Sequence, residues 1–183
     1  MGGSNLFHHG ALAAIGGHVL GMLIPDWLTS DAGIGGSDYH LLSAIAGSVA
    51  GTACVIGLII LVARRAYFPR IRRTTNPTDV ALYALLALVI GLGMAETLAV
   101  NAFGGGYDYR SSVAIWFRGL FVLDPRASLM ASAPLIYQVH ATTAWLLLAL
   151  WPFSRLVRAW SLPLQYLGRP HILYRSRRAG AQR

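Results

Sequence analysis

The stretch that decides the fold is LLSAIAGSVAGTACVIGLIILVA, Leu41 to Ala63, which contains no charged side chain. A helix of about 20 apolar residues is long enough to cross a hydrocarbon core of about 30 Å. The chain has 183 residues, of which 55% are hydrophobic and only 12% are charged. The apolar residues lie in a few long runs rather than at amphipathic spacing, so the sequence predicts an integral membrane protein.

Three further runs resemble the first. Their ionisable groups are Glu96 and several histidines, with no arginine inside any run. We therefore predict an all-α, four-helix membrane bundle with transmembrane helices at about 6–24, 41–63, 80–100 and 134–153. The bundle forms one domain over residues 1–160, and residues 161–183 are predicted to be a cytoplasmic docking tail.

Charge predicts the orientation of these helices. Every basic residue is arginine, and 12 of the 15 lie either in the loop after the second helix or from Arg155 onward. The first connection, 25–40, carries three aspartates and no arginine. We expect the protein to lie in the inner cell membrane. The positive-inside rule then predicts that both termini are cytoplasmic. The pI near 10.4 follows from this topology, so we expect no nucleic-acid partner; anionic lipid or an acidic partner accounts for the arginine-rich loop.

The second outer connection, 102–133, contains a helical pattern. Apolar and polar residues alternate at helical spacing from Ser111 to Val122, around Trp116 and Phe117. We predict an interfacial helix that lies on the outer surface and caps the bundle.

Small residues are frequent in the second and third runs, among them Gly47, Gly51, Gly91 and Gly93. Such residues either let helices pack closely or leave room for a flat macrocycle. Both interpretations, close helix packing and space for a macrocycle, stay open for each glycine.

Two histidines lie at matched depth. His18 is six residues before Ile24 and His140 is six residues after Pro134, in helices that run in opposite directions. Each lies about 9 Å from the outer end of its helix. Ionisable residues inside a membrane are costly and usually functional, so we predict that the two imidazoles clamp one haem. The alternative is two unrelated histidines with separate hydrogen bonds.

A second, inner haem would need another pair of ligands. His8 lies ten residues before His18, about 15 Å nearer the cytoplasm. The matching position on the fourth helix, 18 residues after His140, is Arg158. Arginine has no free lone pair for iron, so this inner site is incomplete. His9 is either an alternative ligand or an interfacial residue.

Four of the remaining polar residues have two possible interpretations each. Glu96 either accepts a proton released outward or pairs with Arg110 or Arg118. Arg110, Arg118 and Arg126 either bind haem propionates or are ordinary loop charges. Asp26 is expected to be a solvated loop residue.

Several segments together carry a family resemblance, in order along nearly the whole chain. They are SNLFHHG (4–10), GGHVLGMLIP (16–25), RRTTNPTDV (72–80), APLIYQVH (133–140) and WPFSRLVRAWSLPLQYLGRP (151–170). The chain resembles the gamma subunits of membrane-bound respiratory nitrate reductases, which are quinol-oxidising cytochromes b.

The resemblance implies two stacked b haems, the outer one held by His18 and His140 and the inner one by His8 and position 158. It also implies a quinol pocket bordered by Gly17 and by the stretch around Tyr39 and His40. Electrons would pass to an iron–sulfur beta subunit and then to a molybdenum catalytic alpha subunit on the cytoplasmic face. Because of Arg158, we predict one firmly bound haem b.

The chain departs from the family pattern in two ways. The family usually has five spanning helices, and this chain begins at the second; a start codon assigned too late would explain the difference. The other departure is Arg158, where the family has histidine.

Two other functions remain open at this point. A cytochrome b anchor of a related redox complex, such as a heterodisulfide-reductase-like or sulfite-reduction-associated one, would share the histidines and differ in its soluble partners. A structural membrane anchor with little haem would dock catalytic subunits without carrying electrons.

Overall fold

The computed structural model describes residues 2–154, and these residues form helices and loops with no strand. Three helical segments of this part are long and apolar enough to cross a membrane: Gly2–Leu23, Gly36–Tyr67 and Pro77–Ala102. The predicted all-α membrane class is therefore confirmed.

Two of these segments change their hydrogen-bonding pattern near the outer end, where outer and inner denote the sides predicted from the distribution of arginine. Helix α1 (Gly2–His18) continues into a π-helical turn, Val19–Leu23. Helix α5 (Pro77–Ala95) continues into a second π-helical turn, Glu96–Ala102. The remaining long helix, α3 (Gly36–Tyr67), is a regular α-helix of 32 residues. Turns of π-helix are rare and concentrate at functional sites.

The fourth predicted span corresponds to helix α8, Leu135–Leu150, which has 16 residues. It is about 24 Å long at 1.5 Å per residue and runs into a 3₁₀ turn, Trp151–Phe153. The number of spans therefore stays a prediction. Arg158 and the predicted docking tail at 161–183 lie outside the described residues.

The long helices pack in series, α1 on α3, α3 on α5 and α5 on α8. Glycines permit the closest approach. A Cβ atom at Gly10 would lie 2.8 Å from the amide nitrogen of Cys54, and one at Gly57 would lie 2.6 Å from that of Phe7. On the α5 side of α3, a Cβ at Gly51 would collide with Met94. Close packing is thus the role of Gly10 and Gly57, because a side chain at either would meet the backbone of the neighbouring helix; at Gly51 the nearest atoms belong to the flexible side chain of Met94.

The inner connection between α3 and α5 is tied by one buried ion pair. Arg65 Nη2 donates to Asp79 Oδ2 at 2.7 Å, and Arg65 Nε donates to Thr75 Oγ1 at 2.8 Å. Asp79 also forms a capping box with Asn76 at the start of α5, with Pro77 in the first turn. These contacts and the short helix α4 (Pro69–Arg72) explain why α3 extends past the apolar run that predicted it.

Three short helices cover the outer end: α2 (Asp26–Asp31), α6 (Val113–Phe121) and α7 (Ala127–Ala131). Helix α6 is the one predicted within Ser111–Val122. Its Val113, Ala114 and Gly119 are buried, and it packs against the π-helical turn that ends the first span. The predicted outer helix is therefore present and buries one of its faces against the bundle.

Candidate metal centre

The imidazoles of His18 and His140 face each other across the outer half of the bundle. Their ring centres are 6.2 Å apart and their planes are inclined by only 8°. His18 is the last residue of α1, and His140 lies in the first half of α8. The two histidines that the sequence predicted at matched depth are therefore close together in the structure.

This spacing fits one metal ion between the rings. An imidazole nitrogen binds a transition metal at about 2.0–2.1 Å, and the ring centre lies about 1.2 Å beyond the nitrogen. Two imidazoles on opposite sides of one ion therefore have ring centres about 6.4 Å apart. The observed 6.2 Å agrees with this value.

The hydrogen bond of His18 leaves its Nε2 atom available to bind a metal. Its Nδ1 lies 2.7 Å from the carbonyl oxygen of Ala14, and a carbonyl only accepts, so Nδ1 carries the proton. Nε2 of the neutral ring then keeps a lone pair for a metal. The Nδ1 atom of His140 is buried and has no hydrogen-bond partner among the described residues.

The two facing imidazoles are the metal-ligating side chains that this part of the bundle brings together. Residues 2–154 contain no group of three or more histidine, cysteine or acidic side chains that could hold a metal ion. If a haem were bound here, His18 and His140 would be the residues that hold its iron, and the macrocycle would supply the remaining ligands. Within the described part, α1 and α8 are not among the closely packed helix pairs.

One glycine packs directly against the ring of His140. A Cβ at Gly93 would lie 3.1 Å from Cε1 of His140, so a side chain there would press on the ring. Cβ atoms at Gly16, Gly17 and Gly91 would meet no atom within 4 Å. Gly93 therefore has little room for a side chain beside His140, and for the open positions both interpretations, helix packing and space for a macrocycle, stay predictions.

His8 and His9 make the same type of hydrogen bond as His18, but no second histidine faces either ring among the described residues. His8 Nδ1 lies 2.6 Å from the carbonyl oxygen of Ser4, and His9 Nδ1 lies 2.7 Å from that of Asn5. Both side chains are exposed. The position expected to pair with His8, Arg158, lies outside the described residues, so the inner site stays a prediction.

The residues assigned to the quinol pocket by resemblance lie on two sides of α3. Gly17 borders open space, and Tyr39 is buried with its hydroxyl directed towards α1. His40 is exposed, and its Nε2 would lie 3.0 Å from a Cβ at Gly106 in the outer loop. The structure therefore associates Gly17 and Tyr39 with the outer end of α1 and places His40 against the loop.

The outer arginines hold the end of α1. Arg110, whose side chain is only 7% exposed, forms an ion pair with Asp26 at 2.8 Å and donates to Ile24 O at 3.2 Å. Arg118 donates to Met22 O at 2.9 Å. Burial and the nearby Arg110 charge lower the pKa of Arg118. The Asp26 side chain is 64% exposed, as predicted for a solvated loop residue, and its carboxylate is in addition the partner of Arg110.

Glu96 has neither of the arginine partners considered for it. Among the described residues, the ion pairs of the outer arginines are Arg110–Asp26 and the exposed Arg126–Asp124 pair. Glu96 Oε1 is buried without a hydrogen-bond partner in this part of the chain. Pairing with Arg110 or Arg118 is therefore wrong as an explanation of Glu96. Propionate binding by the arginines stays a prediction.

Two features of the site were missed from the sequence. The π-helical turns begin directly after His18 and at Glu96, and no composition signal marks them. Tyr109 lies in the outer loop, yet its hydroxyl is 3.5 Å from that of Tyr39. Its position after a glycine-rich stretch gave no indication that it reaches α1.

Comparison with known proteins gives a consistent result. The family model described as nitrate reductase gamma subunit matches residues 1–177. The nitrate reductase gamma chain of Bacillus subtilis is 43% identical over 96% of this chain and 78% of its own. The respiratory nitrate reductase 1 gamma chain of Escherichia coli is 33% identical over 95% and 77%. The nitrate reductase-like protein NarX of Mycobacterium tuberculosis is 44% identical over 95% of this chain and 27% of its own.

Proposed function

The chain belongs to the nitrate reductase gamma subunit family, and we propose that it is the cytochrome b subunit that oxidises membrane quinol for a nitrate reductase. Membership makes it a membrane subunit of an oxidoreductase complex that associates with other nitrate reductase subunits. The finer assignment is that it passes electrons to an iron–sulfur beta subunit and from there to a molybdenum alpha subunit.

The observation that carries the proposal is the facing pair of His18 and His140. Both rings are parallel, correctly spaced for one iron and supplied from opposed helices. A haem b held there accepts and donates one electron at a time. The protein's own contribution is to fix the ring of His18 through Ala14 O and to let the ring of His140 pack against Gly93.

We propose one haem b, held by the outer pair of histidines. His8 offers a free Nε2, but its expected partner position is an arginine. The inner haem would need a ligand from elsewhere, so we propose that the outer haem is the principal one.

The test is reduction by quinol. In membranes that contain the assembled complex, a reduced short-chain quinol should convert the b-type absorption spectrum to its reduced form, and nitrate should then reverse the change. If nitrate is reduced by a soluble donor while quinol leaves the haem spectrum unchanged, the quinol-oxidising role is wrong.

The orientation is part of the same proposal. Arginines cluster in the inner connection around α4, and the aspartates of the connection 25–40 lie at the opposite end. In a Cys54→Ala background, a membrane-impermeant thiol reagent applied outside whole cells should label Ser37→Cys and leave Arg73→Cys unlabelled. Both positions are exposed, so access decides the result. Labelling of Arg73→Cys alone would invert the orientation.

A further inference from the structure

Two tyrosine hydroxyls meet at Gly21, just beyond the end of α1, and one of them belongs to Tyr109, which has no role in the function proposed above. Tyr39 on α3 and Tyr109 in the outer loop approach Gly21 from outside α1. A Cβ at Gly21 would lie 2.7 Å from Tyr109 Oη and 3.0 Å from Tyr39 Oη. Only glycine therefore lets both hydroxyls reach the helix at this point.

The two hydroxyls are poorly satisfied by each other. They are 3.5 Å apart, whereas a good O–H···O hydrogen bond is about 2.7–2.8 Å long. Tyr39 is 8% exposed and Tyr109 is half-buried. Buried hydroxyls normally have full partners, so this pair has hydrogen-bonding capacity left for a ligand.

Tyr39 is supported from behind by a buried arginine. The guanidinium of Arg110 lies over the ring of Tyr39, 4.0 Å from its centroid, and is itself bound to Asp26 and to Thr29 Oγ1 at 3.0 Å. Arg110 is buried and its Nε has no partner among the described residues. Such support restricts the ring of Tyr39 in the way that a binding site requires.

The pair also lies beside the proposed haem ligand. Gly21 is three residues beyond His18, and Gly17, one turn earlier than Gly21, borders open space. Burial and the hydrogen bond with Tyr39 raise the pKa of Tyr109, so its hydroxyl keeps its proton at neutral pH and can donate.

We propose that Tyr109, together with Tyr39, hydrogen-bonds an oxygen of the quinol head group in the space beside Gly17 and His18. This inference rests on the proposed function and adds a residue of the outer loop to the substrate site. The ligand class is a para-hydroquinone, whose oxygen can both donate to and accept from a phenolic hydroxyl. The tyrosine pair binds and orients the substrate; it takes no proton from it.

The test is Tyr109→Phe in the assembled complex, which removes only the hydroxyl. The loss of one hydrogen bond should raise the KM for quinol about 3- to 10-fold, with kcat within twofold and haem content unchanged. Gly21→Ala should raise KM as well, because the new methyl group displaces Tyr109. A quinone analogue titrated by equilibrium dialysis should show the same loss of affinity.

Tyr107→Phe is the matched control. Tyr107 lies in the same loop, but its hydroxyl is bonded to Ser112 Oγ at 2.9 Å and its ring contacts Tyr137. Its KM should stay within twofold of wild type. Equal KM and dissociation constants for wild type and Tyr109→Phe would overturn this inference, whereas a wild-type haem that quinol does not reduce would overturn the proposed function itself.

Discussion

Replacement of His140 by alanine is expected to abolish the low-spin b-type spectrum and quinol oxidation together. His140 lies opposite His18, with ring centres 6.2 Å apart, so loss of either ring leaves the iron with one protein ligand. A single imidazole neither keeps the iron low-spin nor preserves its potential. His18→Ala should give the same result, which is measured by haem content, visible spectrum and quinol-dependent nitrate reduction.

His9→Ala is the matched control for these variants. His9 lies on the same helix as His18 and has the same type of hydrogen bond, from Nδ1 to Asn5 O at 2.7 Å. It is exposed and faces no second histidine in the described part of the chain. Its removal should leave the outer haem intact. Unchanged spectra in both His18→Ala and His140→Ala would show that the haem assignment is wrong.

The second large effect is expected at Asp79. Its side chain is 4% exposed and accepts a hydrogen bond from Arg65 Nη2 at 2.7 Å, while its backbone and carboxylate complete the capping box with Asn76. Asp79→Ala strands the Arg65 guanidinium, which is 18% exposed, without its charge partner. Breaking a buried ion pair costs about 3–5 kcal/mol, so the midpoint of thermal unfolding in detergent should fall by several degrees.

Asp124→Ala tests the same chemistry without burial. Asp124 and its partner Arg126 are both more than 60% exposed, and the two groups are 3.5 Å apart. Exposed pairs contribute little to stability, so the unfolding midpoint should not change. Equal midpoints for Asp79→Ala and wild type would contradict the role given to the inner ion pair.

The membrane class and the positions of the long helices could be predicted because an uncharged run of about 20 residues is typical of a transmembrane helix. The exact ends of these helices could not be predicted from composition. Apolar composition ends at Ala63, but α3 continues to Tyr67, because backbone hydrogen bonds and the Arg65–Asp79 pair extend the helix beyond the apolar run. The depth of His18 and His140 could be counted along straight helices, and the two rings do face each other.

Tertiary contacts explain the predictions that were wrong or absent. The sequence suggested Glu96 as a partner of Arg110, whereas the fold of the loop that carries Arg110 brings it to Asp26. The approach of Tyr109 to Gly21 joins residues 88 positions apart. The π-helical turns depend on how the outer helices pack, which a single sequence does not encode locally.

The central claim is that His18 and His140 hold one haem b between them. The most direct measurement is the electron paramagnetic resonance spectrum of the oxidised wild-type complex, recorded beside that of His140→Ala. The wild type should give a low-spin ferric signal typical of two imidazole ligands, and this signal should be lost in the variant. A wild type without any low-spin haem, or a variant that retains the full signal, would contradict the claim.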